Sequence, residues 1–283
     1  MHITIASGKG GTGKTMVATS LALSLAAVTP EQPPLFLDCD VEAPDAHLFL
    51  KPIIEQQHEV SLLIPSIDEE KCTHCGRCVE ICQYHAIALL GQKTLVFPQL
   101  CHGCGSCTAL CPEKAIREVP ERVGVIERGL AVKGIPFARG LLDVGEPMAV
   151  PIIRQLKKWA QPTSRQVVIN DAPPGTSCPV VETARSSDYL LLVTEPTPFG
   201  LHDLRLAVQV ASELGIPAGV VINRCNGAYP ELEAYCKHKR LPILLNIPLE
   251  LNIAEGLALG KTLVDIHQEY YGHFQRLFNQ ISS

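Results

Sequence analysis

The octapeptide Gly8-Lys9-Gly10-Gly11-Thr12-Gly13-Lys14-Thr15 constrains this chain more than any other feature. It matches G-x4-G-K-[ST], a loop whose backbone N–H groups close around phosphate oxygens. Its surroundings are those the motif needs. Residues 2–6 form a β-branched run suited to a buried strand, and residues 16–28 are apolar and Ala/Leu-rich, a composition that favours helix. Strand, glycine loop and helix in succession bring the partial positive charge of a helix N-terminus against a phosphate. On this reading Gly8, Gly10, Gly11, Thr12 and Gly13 form the cradle. Lys14 reaches the β- and γ-phosphates, and the Thr15 hydroxyl ligates Mg2+. The alternative is a glycine-rich turn without a ligand.

Strand-like runs recur near residues 2–6, 34–38, 166–170, 189–194, 218–222 and 243–247, with helical patterns between most of them, such as 199–214 and 229–240. Such alternation predicts an α/β fold with a mostly parallel, doubly wound sheet. Ligands then bind at the carboxyl ends of the strands. Asp38-Cys39-Asp40, Asp171-Ala172-Pro173-Pro174-Gly175 and Asn223-Arg224-Cys225-Asn226 each follow such a run, as the glycine loop does. The Asn223 amide offers both a donor and an acceptor to an adenine edge. The 283 residues are 46% apolar and 19% charged, which fits a globular protein. The net charge of −5 has no long basic run behind it, so nucleic-acid binding is not expected. No apolar stretch reaches the length of a membrane span. The N-terminus leads directly into the glycine loop, and a cytoplasmic protein is expected.

Eight of the twelve cysteines fall between residues 72 and 111. Cys72, Cys75, Cys78 and Cys82 recur at a constant offset as Cys101, Cys104, Cys107 and Cys111; Gly76, Ala86 and Ile87 recur as Gly105, Ala115 and Ile116. Each half reads C-x2-C-x2-C-x3-C, and the second closes with Pro112, where Gln83 stands in the first. This duplicated run resembles the bacterial dicluster ferredoxin pattern, in which the fourth cysteine of each run ligates the other run's cluster. The resemblance implies two 4Fe–4S clusters, one on Cys72, Cys75, Cys78 and Cys111, the other on Cys101, Cys104, Cys107 and Cys82. Paired zinc sites are the alternative. His74, His85 and His102 read as solvated loop residues. Cys39, Cys225 and Cys236 read as packing residues, and Cys178 as a small residue packing at a helix start, with a metal role as its alternative.

Lys9, a second lysine at the start of the phosphate loop, marks the deviant Walker A form. With the switch-like segments at Asp40 and Asp171 and the stretch Thr194-Glu195-Pro196-Thr197-Pro198-Phe199-Gly200, the chain resembles MinD/ParA/Mrp-type ATPases carrying an inserted dicluster ferredoxin domain. The resemblance implies a homodimer on ATP binding, in which Lys9 reaches the partner's phosphates. It implies that Asp40, in switch I, positions the attacking water or a water on Mg2+. Asp171 would hold Mg2+ through water, and the Gly175 N–H would meet the γ-phosphate. Asp38 and Asp45 are helpers or caps. Asn226, where related guanine readers carry aspartate, favours ATP over GTP.

The ATPase domain is expected to span 1–65 and 118–283, with the ferredoxin-like insertion at 66–117. Strands returning to the sheet are expected within 121–147, and a helix over 147–160. The C-terminal apolar pattern (Ile266, Tyr270, Phe274, Leu277, Phe278 and Ile281) is expected to pack on the sheet rather than on a membrane. The leading expectation is an Mg2+-dependent ATPase whose nucleotide state gates electron transfer through the clusters, toward a redox partner or an iron–sulfur client. The alternatives are an iron–sulfur assembly carrier and a spatial-organising ATPase.

Overall fold

A computed structural model describes residues 1–160, 162–163 and 166–282. Among these residues one sheet of nine strands forms the body. In chain order its strands are β1 (His2–Ala6), β2 (Leu35–Asp38), β3 (Ile53–Ile67), β6 (Ile116–Leu130), β7 (Pro136–Leu142), β8 (Val168–Asp171), β9 (Tyr189–Thr194), β10 (Ala218–Cys225) and β11 (Ile243–Pro248). Across the sheet they run β11-β10-β9-β1-β8-β2-β7-β6-β3. From β11 to β7 every pair is parallel; β7 with β6 and β6 with β3 are antiparallel.

The central strands are short and apolar because both faces are covered. Ile3, Ile5, Phe36 and Ile169 point into one core together with helix α1 (Lys14–Val28), and Leu190, Leu192, Val220 and Ile222 into the other. Helix α1 is buried over nearly its whole circumference, since helix α11 (Tyr270–Ser282) lies over it and inserts Tyr270, Phe274 and Leu277. The C-terminal pattern therefore packs mainly on a helix, with β11 beside it, rather than on the sheet as expected. On the opposite face helix α5 (Val150–Ala160) covers β2, β6 and β7 with Ile152, Ile153 and Leu156.

The feature that the sequence did not announce is the pair β3–β6. Each strand has 15 residues, and they pair from Ile53↔Leu130 to Ile67↔Ile116. β7 accompanies β6 only from Leu130 to Gly124. Beyond that point the two strands continue alone as an arm. The segment 68–115 lies between the arm's two ends and carries α3 (Arg77–Ile81), the hairpin β4 (Ile87–Leu90) and β5 (Lys93–Val96), and α4 (Ser106–Ala109).

The cysteine repeat extends to the backbone. His74 (φ 56°) and Gly103 (φ 61°), Gly76 (76°) and Gly105 (72°), and His85 (53°) and Lys114 (50°) occupy the left-handed region at the same sequence offset. Two of these pairs place a residue with a Cβ where glycine is preferred. Sequence repetition here is thus repetition of turn geometry. Among the described residues no helix is long and apolar enough to cross a membrane.

Candidate functional site: a phosphate loop and two cysteine cavities

The glycine loop joins β1 to α1, and its curvature depends on Gly11 and Gly13 at φ 75° and 95°. Gly13 has a second constraint, because a Cβ there would lie 2.4 Å from Asn223 Nδ2. Asn223 sits near the end of β10 with its side chain buried. Its Nδ2 donates to Thr12 O at 2.7 Å, and its Oδ1 accepts from the Arg224 N–H at 2.9 Å. The amide expected to meet an adenine edge is thus bonded within the chain to the phosphate loop. Lys14 is buried at the helix start.

Three carboxylates gather at the ends of β2 and β8, and Lys14 acts on two of them, Asp40 and Asp171. Asp171, at the end of β8, is fully buried and lies across the sheet from Asp38, the last residue of β2. Burial raises the pKa of both, and their like charges raise Asp38 further. Burial lifts Asp40 to about 6, with Lys14 pulling the other way. Both oxygens of Asp171 are buried without a hydrogen-bond partner; the nearby Thr15 hydroxyl lowers its pKa but stands outside hydrogen-bonding geometry. A buried carboxylate with unpaired oxygens, facing a hydroxyl, fits a bound cation. Asp38 has a different task. Its Oδ1 accepts from Asp40 N at 3.3 Å and its Oδ2 from Ala46 N at 3.1 Å, so it pins the loop leading into helix α2 (Ala46–Leu50). Of the two readings for Asp38, capping is the one the geometry carries. Asp45 occupies the N-cap position of α2 without a side-chain capping bond.

Two expected phosphate contacts are engaged within the chain. The Gly175 N–H donates to Ser7 O at 3.0 Å. Lys9 Nζ lies 3.2 Å from Glu195 Oε2, and Arg224 Nη1 donates to the other oxygen of the same carboxylate. Arg224 adopts φ 55° while making this contact. Glu195, which sequence reasoning noted only as part of a family-like stretch, is thus the intramolecular partner of the lysine expected to act across a dimer.

The eight arm cysteines divide into two cavities. One is lined by Cys72, Cys75, Cys78 and Cys111; the other by Cys82, Cys101, Cys104 and Cys107. Each set draws three thiols from one half of the repeat and one from the other. Backbone N–H groups donate to sulfur at Ala86–Cys82 (3.3 Å), Ala115–Cys111 (3.3 Å) and Gly103–Cys101 (3.4 Å). Burial raises the Cys78, Cys101 and Cys107 thiols, while hydrogen bonding to Ser106 lowers Cys104. Among the described residues no three His, Cys, Asp or Glu side chains converge closely enough for a single metal ion. Zinc thiolates sit about 2.3 Å from one ion. Each cavity is thus lined by four thiols, and three of the eight sulfurs accept a backbone N–H.

His85 and His102 are exposed, as solvated loop residues should be, whereas His74 is half-buried. His74 Nδ1 lies 3.7 Å from Cys72 Sγ and 3.4 Å from Thr94 Oγ1, and His102 stacks on Tyr84 with ring centroids 3.6 Å apart. Cys39 and Cys236 are buried, as packing residues should be, and Cys225 is half-buried. Cys178, at the first position of α6 (Cys178–Ala184), is exposed rather than packed.

Comparison with known proteins agrees with the body. Two solved structures share the fold at low identity. The septum site-determining protein MinD of Pyrococcus horikoshii OT3, complexed with Mg-ADP, superposes with a TM-score of 0.59 at 19% identity, covering 100% of this chain and 96% of its own. The Cyanothece McdA(D38A)–ATP complex gives 0.55 at 16% identity, covering 99% and 94%. An uncharacterized Methanocaldococcus jannaschii protein, MJ0578, is 30% identical over 286 residues, 99% of this chain and 96% of its own length. Residues 3–263 match the CobQ/CobB/MinD/ParA nucleotide binding domain, and the chain belongs to that family.

Proposed function

We propose that this protein binds and hydrolyses Mg2+-ATP as a homodimer and uses its nucleotide state to gate electron transfer through two 4Fe–4S clusters held at the end of the β3–β6 arm. The observation that carries this reading is the division of eight thiols into two crossed sets of four, on an arm whose root packs Val60 and Val123 against Val41, the residue after Asp40. When bound, such clusters store and pass single electrons.

The body's residues divide the hydrolytic work. The loop N–H groups and Lys14 hold the phosphates, while Thr15 and Asp171 hold the cation that offsets phosphate charge. Asp40 orients a water for in-line attack on the γ-phosphorus. The bond to the bridging oxygen breaks, leaving ADP and inorganic phosphate. Lys9, once released by Glu195, reaches the partner's phosphates and stabilises charge in the transition state. The Gly175 N–H, once it leaves Ser7 O, senses the γ-phosphate.

The test is anaerobic purification with iron and sulfide analysis, then EPR and potentiometry with and without ATP. The reading expects a brown, sulfide-containing protein whose midpoint potentials, or whose rate of partner reduction, change with ATP. An iron-poor protein removes the clusters. Potentials and partner reduction indifferent to ATP remove the gating. A carrier role would instead show transfer of iron and sulfide to an apo-protein. The spatial-organising alternative is compatible with the fold neighbours, yet it leaves the two thiol cavities without a task.

A further inference from the structure

The arm leaves the sheet at an irregularity. Val60 pairs with Gly124 but Ser61 with Arg122, so Val123 is an extra residue on β6. Such a bulge bends a two-stranded ribbon and sets its direction. Gly124 is also the last β6 residue that β7 accompanies. Here one side chain spans three segments. Arg122 donates from Nε to Asp143 Oδ2 at 2.9 Å and from Nη2 to Asp143 Oδ1 at 3.3 Å, while its Nη1 reaches Glu59 Oε1 on β3 at 3.2 Å. The Asp143 N–H donates to Val123 O at 3.0 Å. The loop after β7 thereby grips the bulge by backbone and by side chain.

That loop also touches the nucleotide end of the sheet. Leu142, the residue before Asp143, donates its N–H to Val41 O at 2.9 Å, and Val41 follows Asp40 directly. Val41, Val60 and Val123 are buried in the same core. There is little slack around Val41: a Cβ on Gly140 would lie 2.6 Å from Val41 Cγ1. Movement of the Asp40–Val41 backbone is therefore passed to Leu142 and Asp143, and from Asp143 to the fork of Arg122.

We propose that Arg122 is the positioning residue that couples the Asp40 loop to the angle of the cysteine arm, an inference that rests on the gating reading above. The pair is half exposed, so it contributes little net stability and can be remade without unfolding anything. Its two-pronged geometry nevertheless fixes a direction, which a single contact would not.

The test is hydrogen–deuterium exchange, read by mass spectrometry, on the anaerobically purified full-length protein. Peptides covering 61–67 and 116–123 are followed without nucleotide, with ADP, and with a non-hydrolysable ATP analogue. In the wild type, exchange in the arm differs between the nucleotide states. Arg122→Gln and Asp143→Asn each abolish that difference while nucleotide binding and ATP hydrolysis persist. A purely structural role would raise exchange equally in every state and keep the difference, and that result overturns the proposal. If the wild-type arm is the same in all three states, the gating reading falls and the joint with it. If the wild type responds and both variants respond equally, only the joint is wrong.

Discussion

Asn223→Ala separates two roles for one amide. In the structure Asn223 braces the phosphate loop through a buried bond to Thr12 O and makes its other bond to the Arg224 N–H. Truncation leaves unpaired the carbonyl of Thr12, a residue only 2% exposed. An unsatisfied buried group costs roughly 1–3 kcal/mol. If the ligand-bound loop must hold its present shape, that cost reaches the dissociation constant as a loss of about 5–150-fold. Asn223→Asp is expected to lose more, since it sets an oxygen against the Thr12 oxygen. The assay is isothermal titration calorimetry with ADP, GDP and pyrophosphate. A brace acts on the phosphate loop, so all three ligands weaken by similar factors. Should ADP weaken while pyrophosphate binds as before, the amide reads the base, and the bracing argument is wrong.

Cys82→Ser and Cys101→Ser damage the same cavity, so the double variant loses no more iron than the worse single variant; additive iron loss by elemental analysis would refute the crossed sets. Asp171, the expected cation ligand, is lifted by burial to a pKa of about 7, so it carries a proton below that pH and loses it above. Mg2+-ADP affinity therefore weakens as pH falls through that value, with proton release on binding visible as buffer-dependent heats in calorimetry; a flat profile with no proton release counts against a carboxylate site. Glu195→Gln removes the carboxylate that holds Lys9, so analytical ultracentrifugation in a non-hydrolysable ATP analogue shows dimers at lower protein concentration than in the wild type. An unchanged association curve means that the Lys9–Glu195 pair does not restrain dimerisation.

The body of the fold was legible because its signals are local. The β-branched run before Gly8, the apolar strands ending at Asp38, Asp171 and Asn223, and the glycine loop each declare themselves within a few residues. The helix expected over 147–160 and the strands expected within 121–147 appear as α5, β6 and β7. The arm was not legible, and the reason lies in Glu55-Gln56-Gln57-His58-Glu59. β3 is an edge strand, largely exposed over this stretch, so it shows no alternation for a periodicity argument to find. Its partner residues, such as Arg128 for Gln56 and Val125 for Glu59, lie far along the chain across the cysteine segment, and no turn between them marks a hairpin. At the site, residue types were readable but engagements were not. That the Asn223 amide meets Thr12, that Glu195 holds Lys9 and that Ser7 holds the Gly175 N–H depend on separations of more than 150 residues that only folding brings together.

The pairing of Ile67 with Ile116 has a practical corollary. Because the ribbon's two final residues already face one another, everything between them is, topologically, an overgrown hairpin loop. Deleting 68–115 and bridging the gap with a tight Asn-Gly turn would ask nothing of the remaining register. The truncated chain would serve as a counterpart of the whole protein without the cysteine segment. Placed beside it, that counterpart would report what the nucleotide machinery does with no thiols attached.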